Sequence, residues 1–129
     1  MQSMVLLTVL AVVAVAVARP ESGFYDSKYD NFNVKEVIEN VRLLKAYTNC
    51  FQGKGKCTPE GTEFKKWMPE AVQSDCGKCT EKQKHMVAEV MISLMKQLPT
   101  EWDELLKEYN PNGDRNAALD NFLQKYGPK

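Results

Sequence analysis

The chain has no block of basic residues, no glycine-rich phosphate cradle, no N-x-S/T sequon and one histidine. Its 17 basic and 17 acidic residues cancel and are interspersed, so neither nucleic acid nor an anionic membrane surface is expected as a partner. Gly53 and Gly55 are not followed by the Lys-Ser/Thr of a phosphate loop. No strand-like alternation of useful length occurs, and no internal repeat. His85 falls about 200° around a helix from Val87, in the run Glu81-Lys82-Gln83-Lys84, and reads as a solvated surface residue with no nucleophile to pair with. The carboxylates Glu101, Asp103 and Glu104 sit at a helix start, where the backbone dipole accounts for them. Catalysis is not expected, and no cofactor is implied.

What is present begins with an apolar run, Met4 to Ala18, ending in Ala16-Val17-Ala18 before Arg19-Pro20. It has the length and small-residue ending of a secretory signal, although no Lys or Arg precedes it. We expect residues 1–18 to be a signal peptide and 19–129 to form one helical domain, long enough to bury a core. A secreted, monomeric protein without stable membrane association follows.

All four cysteines fall within thirty positions, at 50, 57, 76 and 79, spaced C-x6-C-x18-C-x2-C. An even number in a small secreted chain points to disulfides, and three connectivities are possible. Local pairing would close rings of 8 and 4 residues, each contributing about 2 to 2.5 kcal/mol in the chain-entropy model. A four-thiolate zinc site needs closer pairs on both sides, and the six-residue gap between Cys50 and Cys57 argues against a metal. Cys76-x-x-Cys79 precedes a helix start, as in thiol oxidoreductases, but the strands of that fold are missing.

The fold class is all-α, with five or six amphipathic helices. Pro20 to Phe32 reads as an extended arm. Asn33 with Glu36 starts a helix whose apolar face (Val34, Val37, Ile38, Val41, Leu44, Tyr47) continues to about Phe51, with a break near Asn40. Thr58-Pro59 opens the next helix, lined by Phe64, Trp67, Met68, Ala71 and Val72, which Pro69 should kink or split. Thr80 with Gln83 is a capping box. From there to Leu98, apolar residues including Met86, Val87, Met91, Leu94 and Met95 cover an arc of roughly 240°, which marks a central helix. Thr100 is expected to cap a helix carrying Trp102, Leu105, Leu106 and Tyr109, and a last helix runs from about Arg115. The methionines could fill core gaps or line an adaptable cavity. From the residues alone, core is the commoner outcome of such a stripe.

The cysteine spacing resembles that of the insect chemosensory proteins, small secreted helical carriers of apolar ligands. The likeness extends through Lys28-Tyr29-Asp30-Asn31, Arg42-Leu43-Leu44 with Tyr47, Gly55-Lys56-Cys57-Thr58-Pro59-Glu60-Gly61, Cys76-Gly77-Lys78-Cys79-Thr80-Glu81-Lys82-Gln83, Trp102 and Tyr109-Asn110-Pro111. It implies six helices around an apolar channel, bridges Cys50–Cys57 and Cys76–Cys79, and no cofactor or metal. It also implies binding of long-chain fatty acids, esters, alcohols or semiochemicals, in sensillar lymph or haemolymph. By position it assigns Tyr29, Asp30, Tyr47, Phe64, Trp67, Met68, Val87, Met91, Leu94 and Trp102 to the channel or its mouth. Trp67 and Met68 are bulkier than the aliphatic residues usual in the family, which implies a reshaped cavity. Residues 117–129 depart from the basic C-terminal pattern of the family. The other reading is a secreted developmental or interaction factor acting through protein partners, which should expose its Trp or Phe residues as a patch.

Overall fold

In the computed structural model, which describes residues 24–128, an asparagine starts each of the first two helices. The Asn33 side chain accepts from the Glu36 N–H to begin α1 (Val34–Ile38), and Asn40 accepts from Leu43 N–H to begin α2 (Val41–Phe51). The break expected near Asn40 is therefore present. Thr58 caps α3 (Pro59–Ser74) with Pro59 in its first turn. Thr80 and Gln83 form the full reciprocal box at the start of α4 (Glu81–Gln97). Helices α5 (Pro99–Tyr109) and α6 (Asn116–Tyr126) complete an all-helical domain with no strand among the described residues. The expected signal peptide, residues 1–18, lies outside the described residues.

Two local expectations are corrected, and of the kink or split expected at Pro69 the split does not occur, because α3 runs through it. An interior proline costs about 3 kcal/mol. Trp67, Met68, Ala71 and Val72 around it are fully buried, and burying a large apolar side chain contributes about 1.5–3 kcal/mol, so packing prevails. Thr100 is not a cap: α5 begins at Pro99, whose ring suits a first helical position, and Leu98 precedes it without a side-chain hydrogen bond. Met95 lies within the wide apolar arc of α4 but is 43% exposed, so that arc is not covered throughout its width.

Helix α4 packs against α1, α3, α5 and α6, as its apolar arc requires. The core draws Leu44 and Phe51 from α2, Phe64, Trp67 and Met68 from α3, and Leu105 from α5. Helix α6 adds Leu119, Phe122, Leu123 and Tyr126. Gly127 ends α6 where no side chain fits, since a Cβ there would stand 2.5 Å from both Ile92 Cδ1 and Leu123 O. Arg115 joins the start of α6 to the end of α3, donating from Nε to Val72 O at 3.0 Å and from Nη2 to Asp75 at 3.2 Å.

Both bridges are local: Cys50–Cys57 ties the end of α2 to the loop before α3, and Cys76–Cys79 closes the turn between α3 and α4. The core, not the bridges, carries the fold. Replacing Cys50 and Cys57 together by serine should lower the unfolding free energy by about 2 kcal/mol while leaving the helix content intact. Denaturant unfolding followed by circular dichroism measures both, and collapse of the helical signal in native buffer would contradict the bracing role.

Candidate functional site

The ten residues assigned to a channel separate into three places. Phe64, Trp67 and Met68 from α3, Val87, Met91 and Leu94 from α4, and Trp102 from α5 are between 0% and 5% exposed and belong to one core cluster. Helical spacing places them there, since each set repeats at three or four positions. Tyr47 stands at the edge of that cluster. Tyr29 and Asp30 lie on the N-terminal arm, half-buried.

An aromatic path joins the edge to the centre. The Tyr47 ring lies 6.3 Å from Phe51, Phe51 lies 6.3 Å from Phe64, and Phe64 lies 4.9 Å from Trp67. Phe32 of the arm covers this path, at 5.9 Å from Tyr47 and 6.0 Å from Phe64. At its outer end Tyr47 lines a small apolar cleft of about 80 Å³ with Leu43, Ala46, Cys50, Lys56 and Thr58. The Tyr47 hydroxyl accepts from Thr58 Oγ1 at 3.2 Å. Four larger clefts open elsewhere on the surface, and none of the five is lined by Phe64, Trp67, Met68, Val87, Met91, Leu94 or Trp102. These side chains pack against one another.

Asp30 has a specific employment. Its carboxylate accepts from Thr80 Oγ1 and from Gln83 Nε2, each at 2.8 Å. Gln83 also donates to Asp26 O at 2.9 Å, and its own carbonyl accepts from the Thr80 N–H at 2.9 Å. Lys82 reaches Asn31 at 3.2 Å. The arm is therefore latched to the first turn of α4. Gln83, fully buried, was visible in the sequence only as a capping residue. One signal could have singled it out: it shares the inward stripe with Val87, Val90 and Leu94 at spacings of four, three and four.

A second tether involves residues that the sequence did not single out. Tyr25 donates its hydroxyl to Glu70 at 2.6 Å, and its N–H bonds Lys78 O at 2.8 Å. Glu70 also accepts from Ser74 and from the Lys78 N–H. Burial and the adjoining carboxylate push the Tyr25 phenol up to about 12. Burial works against the charged Glu70, but the bonds from Tyr25, Ser74 and Lys78 hold its pKa below the ordinary value.

His85 is a correction. Although exposed, it is not merely solvated: Nδ1 lies 2.9 Å from Tyr126 O, and its ring meets the Tyr126 ring edge-on at 5.3 Å. Lys84 and Lys125 lie over the same tyrosine, 5.5 and 5.2 Å from the ring centre. Folding α6 back along α4 creates this clasp, which spacing within α4 could not reveal. Among the described residues no three His, Cys, Asp or Glu side chains converge to hold a metal ion.

Substituting Gln83 by leucine keeps the volume and removes the latch. It should cost about 1–3 kcal/mol, because the Asp30 carboxylate loses a buried donor, and should expose the arm to limited proteolysis. Unchanged stability and protease resistance would sink the latch. The Tyr25–Glu70 tether also has a sign in pH. Folding lowers the Glu70 pKa, so its contribution is complete above its unfolded value and is lost as acid titrates it. Tyr25 contributes fully below 10.0 and loses this as pH climbs through about 12. The stability difference between the wild type and Tyr25→Phe should therefore shrink at both extremes. A difference that stays flat across pH would refute the coupling.

Residues 25–117 match the family described as "Insect pheromone-binding family, A10/OS-D". The chain is 42% identical over 106 residues to "Allergen Tha p 1" of Thaumetopoea pityocampa, covering 82% of this chain and 83% of that protein. Among solved structures, a "Chemosensory Protein in Complex with bromo-dodecanol" is 42% identical with a TM-score of 0.66, covering 75% of this chain and 98% of that one. The antennal chemosensory protein A6 of the moth Mamestra brassicae is 39% identical with a TM-score of 0.66, covering 78% and 94%. Helices, bridges and sequence agree on one assignment, and the chain belongs to the insect pheromone-binding family A10/OS-D, the chemosensory proteins.

Proposed function

We propose that this protein is a secreted, monomeric carrier that takes the hydrocarbon tail of a long-chain ligand between its helices. Its family consists of binding and carrier proteins, not enzymes. The observation that carries the reading is the aromatic path from the Tyr47 cleft to Trp67. That path gives a tail a continuous apolar lining from surface to centre. Phe64, Trp67, Met68, Val87, Met91, Leu94 and Trp102 would surround the tail, with Tyr47 as the polar handle at the mouth. A phenol can pack its ring and hydrogen-bond a headgroup. Tyr29 and Asp30 would act from the arm, which covers the path through Phe32.

As folded, the interior side chains are closed on one another, so a tail enters by parting them. Met68 and Met91 are fully buried and their unbranched thioethers rearrange easily, which supports this route. A similar protein is described in complex with bromo-dodecanol, a ligand of this shape. Each methylene offers about 0.8 kcal/mol, so a twelve-carbon tail has roughly 10 kcal/mol gross. Ordering costs bring this towards micromolar affinity, about −8 kcal/mol. Fatty acids, esters, alcohols and semiochemicals share the needed tail. The apolar, signal-like run Met4 to Ala18 supports secretion, which for a member of this family would be into sensillar lymph or haemolymph, and among the described residues no helix is long and apolar enough to cross a membrane. The reading as a partner-binding factor calls for a patch of exposed Trp or Phe; Trp67, Trp102, Phe51, Phe64 and Phe122 are all inside, and Phe24 is the one exposed ring of these two types among the described residues.

Displacement of a fluorescent acyl probe tests the carrier. Affinity across a series of saturated alcohols should rise about threefold to fourfold per methylene until the interior is filled. Probe binding that no alcohol of any chain length displaces would end the proposal.

A further inference from the structure

Trp67 is fully buried, yet its indole N–H has no hydrogen-bond partner. Indole nitrogen can only donate, and a buried donor left unmet is uncommon because it forfeits its bond to water. A phenylalanine there would fill much of the same space without that penalty. The position is the inner end of the aromatic path, with the Phe64 ring at 4.9 Å holding the indole in place. It is also the inner end of the route in the carrier reading, on which this inference rests. A ligand bound here enters oxygen end first, and its tail lies back toward Tyr47, which then packs against that tail instead of holding the headgroup.

We propose that Trp67 Nε1–H is an oxygen-recognition point, donating to an uncharged oxygen carried by the ligand into the centre of the bundle. The chemistry of the surroundings selects the class. The buried polar side chains among the described residues are Thr48, Gln83 and Asn110, together with the Tyr109 hydroxyl, which like the Trp67 indole has no partner, and no Lys or Arg is buried. Thr48 is spent on Leu44 O, Gln83 on the arm, and Asn110 on Asn116 and the Arg115 N–H. An ionised carboxylate brought to Trp67 would thus meet one neutral donor and no counter-charge, which does not offset its desolvation. An ester, ketone or alcohol oxygen needs one donor, and Trp67 supplies it. The ligand class is therefore neutral long-chain oxygenates, with hydrocarbons of the same length bound less well.

The chain has two tryptophans, so two indole N–H signals report in a nitrogen–proton NMR spectrum. Trp67→Phe and Trp102→Phe each assign the pair independently. Titration with dodecyl acetate should move the Trp67 indole proton downfield, whereas pentadecane, matched in length, should not. Trp67→Phe should lose about fivefold in affinity for the acetate, the value of one neutral hydrogen bond, and with it most of the preference over pentadecane. Binding of both ligands with identical Trp67 shifts, or a preference that persists in Trp67→Phe, would overturn the donor assignment and leave the carrier intact. Failure of both ligands to bind the wild type would remove the carrier reading itself.

Discussion

One buried amide sets the geometry of this molecule. Gln83 uses both N–H groups and its carbonyl, on Asp26 O, the Asp30 carboxylate and the Thr80 N–H, so that each of its polar atoms has a partner. Its position fixes two things at once: where α4 starts and where the arm lies. Because α4 is packed by α1, α3, α5 and α6, an error in its start would propagate to each neighbour. Because the arm carries Phe32 onto Tyr47 and Phe64, an error there would uncover the aromatic path. The interior can be made of loosely specifying methionine and aromatic side chains because its frame is set by a satisfied polar network.

Two of the stretches that carry the family resemblance prove to be one physical unit. Tyr29-Asp30-Asn31 and Thr80-Lys82-Gln83 are about fifty positions apart, and their side chains bond one another. What the sequence displayed was local. The helix starts at Asn33, Thr58 and Thr80 and the break near Asn40 were legible because each of these side chains bonds a backbone group three residues on. The inward faces of α3 and α4 were legible from their period. Pairings across the fold leave no such periodic trace, which is why Tyr25–Glu70 and His85–Tyr126 were invisible. Thr100 misled because residue preference was weighed without the packing around it, and packing likewise carries α3 unbroken through Pro69.

Helical spacing makes the α3 and α4 residues of the assigned set inward positions, but inward is not the same as open. Phe64, Trp67, Met68, Val87, Met91 and Leu94 have almost no exposed surface, so capacity for a ligand lies in how readily they part. Residues differ in that respect: the indole is wedged by Phe64, while the thioethers nearby are free to adopt other rotamers. At the far end, α6 is held by Tyr126 between two lysines and His85, and by the bare backbone of Gly127 against Ile92. A surface cleft of about 430 Å³ lies beside this clasp, lined by Lys84, Phe122, Lys125 and Tyr126 among others.

The latch also bears on the fluid in which such a protein works. Asp30 is held by an alcohol and an amide, both neutral, at hydrogen-bond range. Ion pairs such as Lys45–Glu101 and Lys54–Glu104 sit at the rim, where dissolved ions weaken them and where they contribute little. Short contacts between a carboxylate and uncharged donors do not fade with the Debye length. A molecule balanced at zero net charge and closed in this way keeps its shape from dilute to briny surroundings.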